Sequence, residues 1–175
     1  MKPVTEPARD CWLHPDVEVR ESAIAGRGLF ARLFLPAGTV VSRLGGHLVD
    51  GATLRDLFAE AAREHRYVDT ITVGDDLHLV LPPRRPNGYG NHGCDPNLWW
   101  IDAYTLTARR DIAPGEEITN DYATSTAAAD FTMTCACGAD LCRGTVTGAD
   151  WLRPELRERY GEHWIPLLRD RIAAS

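Results

Sequence analysis

Two stretches of this chain carry groups that could do chemistry. The first is Asn91-His92-Gly93-Cys94-Asp95-Pro96-Asn97. Gly loosens the backbone there, and Pro fixes φ and lacks an N–H, so the stretch continues neither a helix nor a central strand. Trp99, Trp100 and Ile101 come soon after, so the loop is anchored to something buried. A loop that presents amide, imidazole and thiol groups on a buried support is suited to binding and catalysis. The second stretch, Cys135-Ala136-Cys137-Gly138-Ala139-Asp140-Leu141-Cys142, places three thiols within eight residues. Structural zinc takes four ligands and favours thiolates, and Gly138 permits the tight turn they need. The spacing leaves the fourth ligand to come from elsewhere: Cys94, Cys11 or a His. These groups suggest a loop that faces a small-molecule cofactor at one end and a metal at the other.

The whole chain must position those groups. Its 175 residues predict one domain, and 44% hydrophobic residues with five Trp allow a sizeable core. A net charge of −6 argues against direct nucleic-acid binding, whose footprint is basic, and is compatible with a basic peptide partner. Lys2 is the only lysine, and Ala, Arg, Gly and Pro abound, which points to GC-rich coding and a bacterial source. No segment approaches ~18 consecutive apolar residues, so no membrane span is expected. Residues 1–10 lack the apolar stretch of a signal peptide. The expectation is an intracellular, cytoplasmic protein with reduced thiols.

The element pattern is strand-rich. Residues 1–15 read as an irregular arm, and Val17 and Val19 as a short strand. Leu29 to Leu35 and Thr39 to Leu44 predict strands around a Pro36-Ala37-Gly38 turn. Leu54, Leu57, Phe58, Ala61 and Ala62 recur at helical spacing, predicting a helix from Thr53 to His65 with Thr53 as its cap. Val68–Val73 and Leu77–Leu81 form a hairpin, and Pro82–Gly90 a loop. Leu98–Ala103, Tyr104–Ala108 and Glu117–Thr119 are further strands. Ala123–Asp130 is small and polar and predicts a mobile segment. From Trp151 the apolar spacing is helical, interrupted near Gly161 and Pro166.

Four motifs in order resemble SET-domain protein lysine methyltransferases. Gly26-Arg27-Gly28-Leu29-Phe30-Ala31 is similar to the family's first cofactor motif. Asn91 to Asn97 resembles its Asn-His-Ser-Cys-x-Pro-Asn motif, with Gly93 in place of Ser. Gly115-Glu116-Glu117-Ile118-Thr119-Asn120-Asp121-Tyr122 resembles Gly-Glu-Glu-Leu-x-x-Asp-Tyr, and Cys135 to Gly144 matches the post-SET pattern. The resemblance implies a mainly β fold with some α: small curved sheets in a β-clip with a pseudoknot, a post-SET zinc segment and C-terminal helices. It divides the chain into an arm (1–15), a SET domain (16–123), a post-SET segment (124–148) and a helical segment (149–175). It implies transfer of a methyl group from S-adenosylmethionine to a lysine amine in a protein, basic substrates such as histone-like or ribosomal proteins being conceivable. Tyr122 would supply the catalytic hydroxyl and Tyr67 a second channel tyrosine. Gly26, Arg27, Gly28, Leu29, Tyr89, Asn91, His92 and Tyr122 would hold the cofactor, and Cys94, Cys135, Cys137 and Cys142 would bind Zn2+, leaving Cys11 over.

The chain departs from the pattern in places. Asn120 stands two before the tyrosine, where the family has Phe or Tyr and where the number of methyls added is set. Gly88 stands where Arg is common, and no aromatic follows Cys142-Arg143-Gly144 closely. The alternative reading is a catalytically degenerate SET fold that binds protein partners without turnover.

Overall fold

The computed structural model describes residues 5–126 and 128–175. In chain order its elements are β1 (Trp12–Leu13), β2 (Val17–Glu21), β3 (Arg27–Ala31), β4 (Val40–Arg43), β5 (His47–Val49), α1 (Gly51–Arg63), β6 (Thr70–Gly74) and β7 (Leu77–Val80). Then come β8 (Asn91–His92), β9 (Leu98–Trp100), β10 (Thr105–Ala108), β11 (Glu117–Asn120), β12 (Thr132–Thr134), β13 (Thr145–Thr147), α2 (Pro154–Tyr160) and α3 (Pro166–Ala173). Single 3-10 turns lie at Pro86–Tyr89, Tyr122–Thr124 and Asp150–Leu152. The protein is mainly β with few helices, as the motifs imply.

The strands form small sheets, ordered β1-β4-β10-β9, β2-β3-β11-β8, β5-β7-β6 and β12-β13. Short strands suit this chain, because Gly, Pro and Asp interrupt every apolar run within a few residues. One pairing matters most for the site. β8 runs parallel to β11, with Asn91 opposite Thr119 and His92 opposite Asn120. Parallel neighbours require a crossover, so the stretch that ends in Tyr122 passes beside the earlier 91–97 loop.

Several boundaries differ from the sequence expectation, each for a local reason. The arm is not wholly irregular: Trp12 and Leu13 pair with Arg43 and Ser42, and the Tyr104 hydroxyl donates to the Thr5 carbonyl at 2.7 Å. The strand from Leu29 stops at Ala31, leaving Leu33 and Phe34 exposed; Leu35 pairs alone with Ile112. The helix starts at Gly51, and its cap is Asp50 rather than Thr53. Asp50 has extended backbone and accepts from the Thr53 N–H at 2.7 Å, the geometry an N-cap needs. Residues 101–104 turn, because the Asp102 carboxylate accepts from the N–H groups of Tyr104 and Thr105 at 2.8 and 2.7 Å. Ala123, Thr124 and Ser125 are buried rather than loosely held, and the Thr124 carbonyl accepts from the Ile165 N–H. Ala127, within the segment expected to be mobile, lies outside the described residues.

The C-terminal helices complete the core. Leu156, Tyr160, Trp164, Ile165 and Leu168 are buried together with Trp100, Ile118 and Val41. The predicted breaks appear as a positive-φ Gly161 ending α2 and Pro166 opening α3. Trp164 packs edge-on to Tyr160 with ring centroids 5.5 Å apart. Replacing Trp164 by Ala is expected to destabilise the protein by about 3–5 kcal/mol, read from urea unfolding. A loss below about 0.5 kcal/mol, the size of an ordinary surface change, would place these helices outside the core.

Candidate active site and thiol cluster

The site is assembled by β3, β8, β11 and the turn that follows β11. Gly28 in β3 lets two strands approach: a Cβ there would overlap the Glu117 carboxylate and come within 3.1 Å of the Asn91 amide nitrogen. Leu29 is buried against Ile118, which anchors the strand. Gly26 adopts φ +48 in the turn before it, a conformation cheap only for Gly.

The Asn91 amide nitrogen has four oxygens within reach: Ser22 Oγ at 3.1 Å, Ala25 O at 3.2 Å, Arg27 O at 3.1 Å and Glu117 Oε1 at 2.9 Å. An amide has only two N–H bonds to give. The spot is therefore richer in acceptors than the amide can serve, which suits the ammonium of an amino-acid-bearing cofactor. Beside it, the Arg27 guanidinium lies over the Tyr89 ring at 5.0 Å. The Arg27 contribution toward Asn91 is its backbone carbonyl.

His92 is buried. Its Nδ1 accepts from the Tyr122 N–H at 3.2 Å, so in the neutral ring the proton sits on Nε2. Nε2 then donates to Cys94 Sγ at 3.3 Å. Burial holds the imidazole below its ordinary pKa; Arg143 pushes the same way and Asp121 opposes. This tautomer makes His92 a donor to a sulfur rather than a metal ligand.

Tyr122 sits at the junction. Its hydroxyl donates to the Gly90 carbonyl at 2.8 Å, and its ring meets His92 edge-on at 5.4 Å. Burial, with Tyr67 and Asp69 nearby, pushes its phenol up to about 12, so it is a neutral hydrogen-bond donor throughout the ordinary pH range. Tyr67 is within electrostatic reach but 87% exposed. It lines an open groove and is not packed beside Tyr122 in a closed channel. Asn120 Oδ1 lies 3.6 Å from where a Cβ on Gly90 would be, so a small amide stands beside Gly90.

The three late cysteines join Cys94. Their sulfurs all lie within 4.8 Å of one another, and Cys94 and Cys135 are 3.7 Å apart. Tetrahedral zinc with Zn–S near 2.3 Å separates its sulfurs by about 3.8 Å, so this set fits the metal and is far too open for a disulfide. β12 and β13 flank the cluster as a two-stranded ribbon that the cysteine spacing did not reveal. Backbone N–H groups of Arg143 and Gly144 point at Cys94 and Cys142 sulfurs at 3.3 and 3.5 Å. Burial opposes ionisation of Cys137, yet N–H groups of Cys94 and Ala139 and the neighbouring thiols bring it down to about 7. Cys11 stands apart, bonded to Gly45.

Sequence reasoning missed the residues behind this wall. Asp121 accepts from both terminal nitrogens of Arg143 at 2.7 Å and from the Tyr160 hydroxyl at 2.8 Å. Asp150 accepts from the Arg143 Nε–H at 3.0 Å. Asp121 and Arg143 stand inside quoted motifs, so their side chains were within view; Tyr160 carried only a helical-spacing signal.

Comparison with known proteins places this geometry. The chain is 32% identical over 142 residues to the histone-lysine N-methyltransferase trithorax of Drosophila virilis, covering 73% of this chain and 4% of that protein. It is 31% identical over 142 residues to histone-lysine N-methyltransferase 2B of Homo sapiens, covering 73% and 5%. The chain thus spans only about a twentieth of the length of these relatives. The crystal structure of the methyltransferase domain of human histone-lysine N-methyltransferase SETMAR has the same fold, with a TM-score of 0.57 at 24% identity over 75% of this chain and 58% of that one. Residues 26–123 match the SET domain family, and with β8, β11 and Tyr122 arranged as described, the chain belongs to the SET-domain family.

Proposed function

We propose that this protein transfers a methyl group from S-adenosylmethionine to the side-chain amine of a lysine in a protein substrate. The observation that carries this reading is the Tyr122 hydroxyl, held by burial as a neutral donor on the Gly90 carbonyl, one residue from the acceptor-rich Asn91. S-adenosylmethionine, when bound, supplies an electrophilic methyl on a sulfonium. Ala25, Arg27, Asn91 and Glu117 would hold its amino group, and Leu29, Tyr89 and His92 its remaining parts. The relatives' names point to histones, so a histone-like basic protein is the proposed substrate class, and the net charge of −6 suits it.

The chain's own residues meet what the reaction demands. The amine must arrive neutral and in line, with reacting atoms about 3–3.5 Å apart. A lysine near pKa ~10.4 is mostly charged at neutral pH, and burial disfavours that charge. Gly90 O and Tyr122 Oη would orient the amine that remains. Zn2+ on Cys94, Cys135, Cys137 and Cys142 would tie the 135–144 segment to the 91–97 loop and so keep water out. Its role there is structural.

Tyr122→Phe removes one hydroxyl from a packed ring. It is expected to keep affinity for S-adenosylmethionine within about twofold and to lose at least 100-fold in turnover, in line with a general positioning or proton-handling group. Unchanged turnover would remove Tyr122 from the mechanism. Separately, Cys137→Ser is expected to lower bound zinc, measured by elemental analysis, from one per chain to below about 0.2, because one ligand of four is lost. Full zinc content in that variant would contradict the ligand set.

A further inference from the structure

Ser22 lies outside the motifs, yet its side chain joins three segments at the edge of the site. Its hydroxyl donates to the Glu117 carboxylate, 2.7 Å from Oε1 and 3.0 Å from Oε2. The same oxygen accepts from the Ile24 N–H at 2.9 Å and from the Asn91 amide at 3.1 Å. A serine hydroxyl has one proton to give and two lone pairs to offer, so its capacity is fully used. Its backbone is fixed as well, since the Ser22 N–H donates to the Gly26 carbonyl at 2.9 Å. One half-buried residue thus ties the 22–26 turn, whose Ala25 carbonyl accepts from Asn91, to β8 and β11.

Glu117 gains its place from this contact. Its carboxylate lies over the bare α-carbon of Gly28, and it takes part in none of the ion pairs formed among the described residues. Among those residues its side-chain donors are the Ser22 hydroxyl and the Asn91 amide. The Asn91 amide is oriented in turn. Reversed, it would set its oxygen against the Glu117 carboxylate at 2.9 Å and the Arg27 and Ala25 carbonyls at 3.1 and 3.2 Å, with no proton between them. The nitrogen therefore points inward, and Oδ1, at the other end of a planar group, points away. Oδ1 accepts from none of the described residues and is not sealed from solvent, so it is the acceptor left for a donor from outside.

We infer that Ser22 is a positioning residue for the amino-acid end of the cofactor: by holding Glu117 against Asn91 and closing the 22–26 turn, it fixes the amide so that Oδ1 receives the α-ammonium of S-adenosylmethionine. This rests on the methyl-transfer reading and adds to it what orients the group that reads the ammonium. Without the hydroxyl, the Glu117 carboxylate is free to turn to solvent and the turn loses its bond to Ile24. A polar group left without its supporting contacts binds less well. None of the Ser22 side-chain bonds reaches Tyr89 or His92, so the effect is confined to the amino-acid end.

Two ligands test this without knowledge of the protein substrate. S-adenosylhomocysteine keeps the amino-acid end of the cofactor; methylthioadenosine has the same thioadenosine and lacks that end. The full chain is titrated with each and followed by chemical shifts of the Asn91 side-chain amide and the His92 backbone amide. Ser22→Ala is expected to weaken S-adenosylhomocysteine binding by about tenfold or more, the size of one hydrogen bond to a charged group, and to leave methylthioadenosine binding within about twofold. A merely structural role would weaken both ligands alike. Zinc content and melting temperature are checked in parallel. Should Ser22→Ala fail to fold, Ser22→Cys, which nearly keeps the volume and weakens the hydrogen bonds, must show the same selective loss. Unchanged binding of S-adenosylhomocysteine, or equal weakening of both ligands, overturns the inference. Methyl transfer by the wild type alongside Ser22-independent binding sinks this inference alone. Ser22-dependent binding with no methyl transfer to any protein sinks the methyl-transfer reading alone.

Discussion

The structure depends on one buried ion pair. Asp121 and Arg143 are almost fully removed from water, and their bidentate contact at 2.7 Å joins three parts of the chain. Asp121 immediately precedes Tyr122. Arg143 immediately follows Cys142, and its own N–H reaches Cys94. Tyr160, from α2, closes the group from the far side. Burying two charges is costly, and the arrangement is tolerable because each of the three guanidinium nitrogens of Arg143 donates to a carboxylate. Asp150 takes the third Arg143 direction, and the Ala123 N–H donates to Asp121 at 3.0 Å. Loss of either partner would leave an uncompensated charge, typically worth about 3–5 kcal/mol. The cost would fall on the segment that sets the Tyr122 hydroxyl.

That coupling explains why the C-terminal helices belong to the site even though they hold none of its proposed contacts. Arg159 donates to the Cys94 carbonyl at 2.9 Å, and His163 stacks on Trp99 with ring centroids 3.4 Å apart. Trp99 lies two residues beyond the 91–97 loop, so the loop's position is set from both ends. The thiol cluster grips the front of the loop and the helices grip its exit. A loop with Gly93 and Pro96 is short of internal order, and these outside contacts supply the rigidity that a binding site requires.

Much of this was legible in the sequence. The four motifs named the family, and the strands, the central helix and the breaks at Gly161 and Pro166 followed from period and punctuation. Cys94 as the fourth thiol came from the motif order; spacing alone left Cys11 and a His open. What could not be read was set by contacts distant in sequence. Trp12 and Leu13 are a strand only because β4 offers an edge. Thr53 resembles a cap until Asp50 is seen in extended backbone with its carboxylate on the Thr53 N–H. β12 and β13 lie either side of the cysteines, and no local pattern distinguishes them from loop.

The central claim is that this wall of Asn91, His92 and Tyr122 delivers a methyl group to a lysine amine. Its most direct measurement supplies the wild-type protein with S-adenosylmethionine labelled in the methyl group and a mixture of core histones, then hydrolyses the protein fraction to amino acids. The account predicts label in methylated lysine above the level of a protein-free control. Label confined to other amino acids, or none in protein while S-adenosylmethionine is bound, would contradict it.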